Sequence, residues 1–423
     1  MIFSQSTIKK KITYLWRNAI ESNKCISKTL DQPYKFYSTL KGSFFLDERG
    51  INCLNELLDE LRKDEDIAQK FSNKYLEELI KNFIIELLPV KPRNISVEID
   101  KNFFQLLNKL LQPETDWLVI VPISNLQINK KSFNVGSVRF SKFSKTMERK
   151  ILTKINPNNK SFFQKSVIVN FTNYTVASVH VSAVDDTRAK ELALIMINNS
   201  IDILRFYRLN PNFRYNKLII NNVGIAGRLY KGTEIVLCLC SPPNFIQISP
   251  FFEKTGFLIP YEINNKNKKI FFKNGFKTLH CILKKKESNR TDFENRLLSG
   301  IHFCSLSTTD ESISNSFVNS IISLEAILIR GMEQKSGNIG ERVALLVGKD
   351  LRSKKWFLKE MIRLYRIRSN IVHSGNVDVT TSDLRLLQII NYILIVELIK
   401  LFRKRNFNSI SDLINWFTCQ KFS

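Results

Sequence analysis

Arg368 and His373 are the pair in this chain best suited to chemistry on a phosphodiester. They sit in MIRLYRIRSNIVHSGN, residues 361–376, with the polar Ser369 and Asn370 between them. An imidazole titrates close to neutral pH, so it can take or give a proton. A guanidinium stays charged and offers a planar fork of donors that matches phosphate. RNA cleaves through its own 2′-OH once a proton acceptor and a phosphate clamp are in place. The four residues therefore read as half of an RNA-cutting site. DNA, which lacks the 2′-OH, would survive it.

Spacing alone is weak support. The chain holds four histidines, and a loose Arg-x(4–6)-His pattern is expected about 0.6 times by chance. Arg296 with His302, and Arg366 with His373, fit it too. Arg296 and His302 read as a chance match in an ordinary bundle helix. Three features raise the Arg368–His373 pair. It lies near the end of a helix stopped by Ser374-Gly375, where an arginine can curl back; on a regular helix residues five apart diverge by about 140°. A helix C-terminus favours an imidazolium. Arg363, Arg366 and Arg368 lie close together, apt for a phosphate backbone. The plainer alternative is that Arg368 caps carbonyls and His373 packs at the helix end.

The elements that must position these residues follow a change of period along the chain. Residues 1–110 read as mainly helical, with Leu54, Leu57, Leu58 and Leu61, then Tyr75, Leu79, Phe83 and Leu87, at helical spacing up to Pro89 and Pro92. Residues 111–287 read as an α+β domain around an antiparallel sheet. Its strands are expected within 117–128, 135–143, 166–181, 217–220, 233–240 and 244–248. Between them a long helix starts at Asp185 or Asp186, either able to cap it. Residues 288–423 read as a helical bundle of four main helices with short or capped links. Gly331 is the expected stop of the second helix, and Ser382 or Asp383 the cap of the longest.

Composition narrows the partners. There are 64 Lys+Arg against 39 Asp+Glu, a net charge of +25. Such a field favours polyanions, nucleic acid or an anionic membrane surface, although richness in Lys, Asn, Ile and Phe supplies a purely compositional source. Lys266–Lys286 interleaves eight lysines with Phe271, Phe272 and Phe276. It reads either as a single-strand RNA platform or as a strand with a solvated lysine face. Lys284, Lys285 and Lys286 are candidate RNA contacts and mark a domain boundary. Seven cysteines without a C-x-x-C pair argue against a disulfide scaffold and for a reducing cytoplasm. Cys238 and Cys240 alternate on one expected strand face, with no histidine at ligand spacing for zinc. No metal or other cofactor is expected. The N-terminus does not read as a signal peptide. The most apolar helix, residues 384–402, is interrupted by Asn391, Glu397 and Lys400, which marks a buried helix rather than a membrane span.

The bundle resembles a HEPN domain, specifically of the ApeA-like branch found in phage-defence proteins. The resemblance rests on SIISLEAILIRG, GERVALLVG and LYRIRSNIVHSG in that order and covers roughly the last 135 residues. The upstream run HVSAVDDTRAKELALIMINNSIDILRFYRL is similar, more weakly, to the region preceding such domains. The resemblance implies an α+β chain ending in an all-α four-helix HEPN bundle and acting as a metal-independent endoribonuclease, toxin-like in abortive infection. His373 would be the general acid/base and Arg368 the clamp on the scissile phosphate. Ser369 or Asn370 would orient them, and Glu325 would be a partner of Arg368 or simply a buried ion pair. Arg363 and Arg366 would add RNA contacts. Products would carry 2′,3′-cyclic phosphates. RNA, including tRNA, would be the substrate, and a homodimer or higher oligomer would bring two such motifs into one cleft, with residues 1–285 sensing a trigger or restraining activity. Rival expectations are a catalytically silent HEPN bundle used for dimerisation or RNA binding, and a basic nucleic-acid-binding regulator using residues 266–286.

Overall fold

A computed structural model describes residues 4–21, 35–129, 131–153, 164, 169–172, 174–211, 223–226, 237–239, 260–310, 312–374 and 379–421. It is a mixed α+β chain, with antiparallel sheet in the N-terminal half and a helical C-terminal region. The chain divides into two compact units: Met1–Val119 with His180–Ala193 and Cys238–Gln247, and Ile120–Val179 with Leu194–Leu237 and Ile248–Ser423.

The first unit opens with α1 (Gln5–Asn18), β1 (Ile20–Glu21), β2 (Lys35–Thr39) and β3 (Gly42–Leu46), then α2 (Glu48–Arg62), α3 (Glu65–Lys70), α4 (Asn73–Leu87) and α5 (Ile95–Leu110). Its strands form an antiparallel sheet in the order β1-β3-β2, which the helical reading of this region did not contain. The leucine stripe was legible: Leu54, Leu57, Leu58 and Leu61 are all buried in one core with Leu76, Leu79, Phe83 and Leu87. Asp47, Asp64 and Ser72 cap α2, α3 and α4 by accepting from backbone N–H groups in the first turn. Buried Asp185 accepts from the Ser72 N–H at 2.9 Å, the Ser72 hydroxyl at 2.7 Å and the Arg188 N–H at 2.9 Å. Of the two aspartates read as caps, Asp185 is thus the one that does so.

The strands that follow are β4 (Thr115–Ser124), β5 (Leu126–Ile128), β6 (Phe133–Val135) and β7 (Val138–Lys142). After α6 (Lys145–Thr153) and α7 (Val169–Thr172) come β8 (Thr175–Ala183), α8 (Asp186–Arg208), β9 (Gly224–Ile225), β10 (Leu237–Leu239) and β11 (Tyr261–Ile263). One sheet has the order β10-β4-β8-β7-β6, with β9 on β4, and β11 pairs with β5 in parallel. The pairs β6–β7, β7–β8 and β4–β9 are antiparallel. The single strand expected at 135–143 is broken at Gly136, φ +59°: Val135 ends β6, and Val138–Lys142 form β7, the other arm of the hairpin. Part of the strand expected at 166–181 is helical, as α7. Expected strands at 217–220 and 244–248 lie outside the described residues, as do residues 233–236 and Cys240.

A second correction concerns Lys266–Lys286. It is not a strand but two short helices, α9 (Asn265–Lys273) and α10 (Phe276–Lys284). They break at Gly275, where φ is +88° and a Cβ would stand 2.4 Å from Ile399 Cγ2. Only glycine accepts both the left-handed backbone and that approach.

The helical region holds α11 (Asp292–Leu306), α12 (Ile313–Leu328), α13 (Lys335–Val347), α14 (Leu351–Ser374), α15 (Thr381–Arg405) and α16 (Ile410–Lys421). Thr291 and Glu294 form a capping box on α11. On α15 the cap is Thr380, one box with Asp383, rather than Ser382 or Asp383 itself. Helix α12 ends at Leu328 and Gly331 follows with φ +57°. Helices α11 and α12 approach closely at Gly300: a Cβ there would lie 2.1 Å from Ile327 Cδ1, and the Ser323 hydroxyl donates to Gly300 O at 2.7 Å. Asn391, fully buried on α15, donates to Ser320 O at 3.0 Å. The polar residue that interrupts the apolar run thus ties α15 to α12. Among the described residues no helix is long and apolar enough to cross a membrane.

Candidate functional site

The turn after α12 sets the position of the acidic residue. Arg342 on α13 is 7% exposed. Its guanidinium donates to Leu328 O and grips both carboxylate oxygens of Glu333, at 2.6 and 2.8 Å. Glu333 in turn accepts from the Arg330 N–H at 2.6 Å. The Arg342 hydrogen bond holds the Glu333 carboxyl below the usual carboxylate range against the opposing effect of its burial. This bidentate lock fixes where α13 begins and sets its first residue, Lys335, against Glu325 at 2.8 Å.

Glu325, on the last turn of α12, is the hub of the site. Its Oε2 takes Lys335. Its Oε1 accepts from the Tyr365 hydroxyl at 2.9 Å and lies 3.8 Å from Arg368 Nη2. Burial, then the bond to Glu325, pushes the Tyr365 phenol up to about 12. Tyr365 and Arg368 are three residues apart on α14, so they share a face, and the guanidinium carbon stands 5.7 Å from the Tyr365 ring centroid. Arg368 Nε is buried with no hydrogen-bond partner. An orphaned buried donor costs about 1–3 kcal/mol, which the side chain would recover by turning onto an acceptor.

The other candidate residues are more dispersed. Helix α14 runs unbroken through His373 to Ser374. The relaxation expected at a helix end is therefore not used, and residues five apart point about 140° away from each other. Among the described residues no hydrogen bond or ion pair joins Arg368 to His373. His373 is exposed, as are Asn370 and Arg366, and Ser369 is half-buried. Gly375 lies outside the described residues. Arg363 is engaged by Glu360 at 2.9 Å and Asp383 at 2.7 Å. Lys285 pairs with Glu294 at 2.7 Å, whereas Lys284 and Lys286 are exposed.

The rival pair takes structural roles. Arg296 donates to Ala326 O and Ile329 O, both at 3.1 Å, and so closes the end of α12. His302 Nδ1 donates to buried Asp202 at 2.7 Å, and the Ser305 hydroxyl donates to the other oxygen at 2.6 Å. The hydrogen bond to Asp202 raises the His302 imidazole above its usual range, with burial opposing.

Two residues of the hub were not singled out from the sequence. Tyr365 was findable, since i, i+3 spacing to Arg368 puts an aromatic ring beside a cation. Lys335 was not, because its approach to Glu325 depends on a turn held by Arg342 and Glu333. Among the described residues no group of three or more His, Cys, Asp or Glu side chains could hold a metal ion. No family model, curated protein or solved structure matches the chain.

Proposed function

We propose that this chain is an endoribonuclease of HEPN type, a toxin-like effector of antiviral defence acting on RNA, tRNA included, without a metal cofactor. Arg368 clamps the scissile phosphate and stabilises its developing charge. His373 moves the proton to or from the ribose 2′-OH or the leaving 5′-oxygen. A positioned acid/base is worth about 10²–10⁴ in rate, and an oriented cation on the phosphate adds to it.

The observation that carries the reading is the setting of Arg368. Its guanidinium lies 3.8 Å from Glu325 and 5.7 Å from the Tyr365 ring centroid, with the buried Nε–H left without an acceptor. That is how a charge is oriented before an anionic ligand arrives. The divergence of Arg368 and His373 on α14 accords with a site completed by a second copy. On 3.6-residue periodicity His373 shares a stripe with Ser369 and the exposed Leu351, Leu358 and Ile362. A helix face that leaves such apolar residues uncovered favours self-association, and pairing along it would bring His373 to a partner. Under this reading the protein works in the cytoplasm as a homodimer or higher oligomer, and residues 1–285 restrain it or respond to a trigger.

The test is cleavage of tRNA and total RNA in EDTA by wild type, Arg368→Ala and His373→Ala. The reading requires wild-type cleavage with 2′,3′-cyclic phosphate ends and loss of both in each variant; variants that cut as well as wild type overturn it. One observation favours the second reading, a silent bundle used for pairing or RNA binding: no described interaction links Arg368 to His373. In that case wild type would be harmless in cells under every trigger.

A further inference from the structure

A second site lies away from Arg368. Phe133 on β6 packs on Phe276 of α10, with ring centroids 5.1 Å apart, and on Phe271 of α9 at 6.2 Å. The hairpin and the helix pair are also joined by the Gly136 N–H, which donates to His280 Nδ1 at 3.1 Å. A cavity of about 290 Å³ opens where they meet, between Phe133, Phe272, Phe276, Asn134, Lys277 and His280. Its floor is apolar and buried, but Phe272 is 54% exposed. That ring stands edge-on to Phe276, with centroids 5.3 Å apart and planes at 67°. A large aromatic ring on an exposed helix face, beside an open cavity of this size, has room for one more flat ring against it.

The residues that line this cavity include Lys277 and no carboxylate. The two stretches that build it, residues 117–147 and 263–286, contain thirteen Lys or Arg, of which Lys285 is paired with Glu294, and are flanked by Asp116, Glu148, Glu262 and Glu287. Lys269, Lys273 and Lys277 are exposed, and no ion pair within the described residues engages them. Lys268 Nζ lies 4.9 Å from the Phe133 ring centroid. Arg139 stands opposite Asn134 in the hairpin register. A lysine-rich surface attracts a phosphate backbone, and an exposed aromatic ring beside it stacks an unpaired base.

The geometry points to a binding site for single-stranded nucleic acid, in which one unpaired base stacks on Phe272 over the cavity and the flanking phosphates lie along Lys273, Lys277 and Lys269. The site is independent of the ribonuclease reading, because binding there needs no 2′-OH and no cleavage. Duplex gains only the lysine contacts, since its bases are not free to stack.

The test uses the full chain and a fluorescent twelve-nucleotide oligothymidylate, which a 2′-OH-dependent nuclease cannot cut, with a duplex of equal length alongside. Binding is read by anisotropy at low and moderate salt. Phe272→Ala is expected to weaken single-strand binding about 5- to 150-fold, the worth of one stacked base, with duplex binding hardly changed. Phe272→Trp, which keeps a stacking face, retains the affinity. Lys273→Glu with Lys277→Glu weakens both probes. Because Phe272 is largely exposed, its removal leaves the core intact, which circular dichroism checks. The proposal is overturned if Phe272→Ala binds the single strand as wild type does, if it loses strand and duplex equally, or if wild type binds no single strand at low salt.

Discussion

Replacing Glu325 by glutamine removes one charge from the hub and with it the ion pair to Lys335 at 2.8 Å. Glutamine keeps the shape and still accepts from the Tyr365 hydroxyl, now 2.9 Å from Oε1. Besides the Lys335 pair, which bears on the α12–α13 turn, the attraction on Arg368 Nη2 across 3.8 Å is lost, and this is the part that bears on the clamp. Two unit charges at that distance attract by about 1 kcal/mol in water and about 4 kcal/mol at an effective dielectric constant near 20. The side chains of Arg368 and Glu325 are 20% and 14% exposed, and the pair is too long for a direct hydrogen bond, so the lower part of that range applies. A loss of about 1–2 kcal/mol of orientation corresponds to about 5- to 30-fold in rate. If Arg368 acts on charge that develops in the transition state, the fall appears in kcat with KM nearly unchanged. Steady-state cleavage of a short fluorogenic RNA gives both constants, and thermal unfolding shows whether the helices remain packed. A variant that is less stable yet cuts with the wild-type kcat, or faster, would refute the reasoning. Glu325 would then be only a buried ion pair that ties α12 to α13 and α14.

Other perturbations test the scaffold. Because bonding to Asp202 raises the His302 pKa in the folded chain, the stability it supplies is fully present below its ordinary value of 6.5 and is lost as pH rises through the higher folded value. The Tm gap between wild type and His302→Gln is therefore expected to narrow from about pH 6.5 upward; a gap that widens with pH contradicts the pairing. Gly300→Ala puts a methyl 2.1 Å from Ile327 Cδ1. It is expected to cost about 1–3 kcal/mol in a denaturant melt, part of it regained by adding Ile327→Val. Arg342→Leu leaves Glu333 without its bidentate partner and frees the α12–α13 turn. Because Glu333 is part-exposed, the expected loss, read as a drop in Tm, falls below the figure of about 3–5 kcal/mol for a fully buried pair.

How much of this was legible in the sequence depended on how local the cause was. The leucines of α2 and the glycine after α12 announce themselves by spacing and by backbone freedom. So does Asn391, whose burial against Ser320 O explains why a polar residue interrupts the most apolar helix. The Lys266–Lys286 stretch was harder. Its phenylalanines alternate with lysines closely enough to pass for a strand. The helical signal was present, with Phe276, Leu279 and Leu283 all buried on α10, but the Asn274-Gly275 break cuts it into two short pieces. The β-hairpin of the first unit went unread because its residues carry no long alternation.

At the candidate site the sequence located Arg368, His373 and Glu325. Their mutual geometry depends on contacts that no spacing encodes. Arg363 shows this: it reads as a free cation beside Arg366 and Arg368, yet Asp383, twenty positions on, lies 2.7 Å from it. Lys335 reaches Glu325 only because Arg342 holds the intervening turn.

The central claim is that Arg368 and His373 cut RNA through the 2′-OH of the substrate itself. It is tested most directly by an RNA cut efficiently at one position, compared with the same RNA carrying a single 2′-deoxy nucleotide on the 5′ side of that bond. The account predicts that wild type leaves a 2′,3′-cyclic phosphate on the first RNA and leaves the bond in the second intact. Cleavage of the deoxy-substituted bond at the same rate would contradict it.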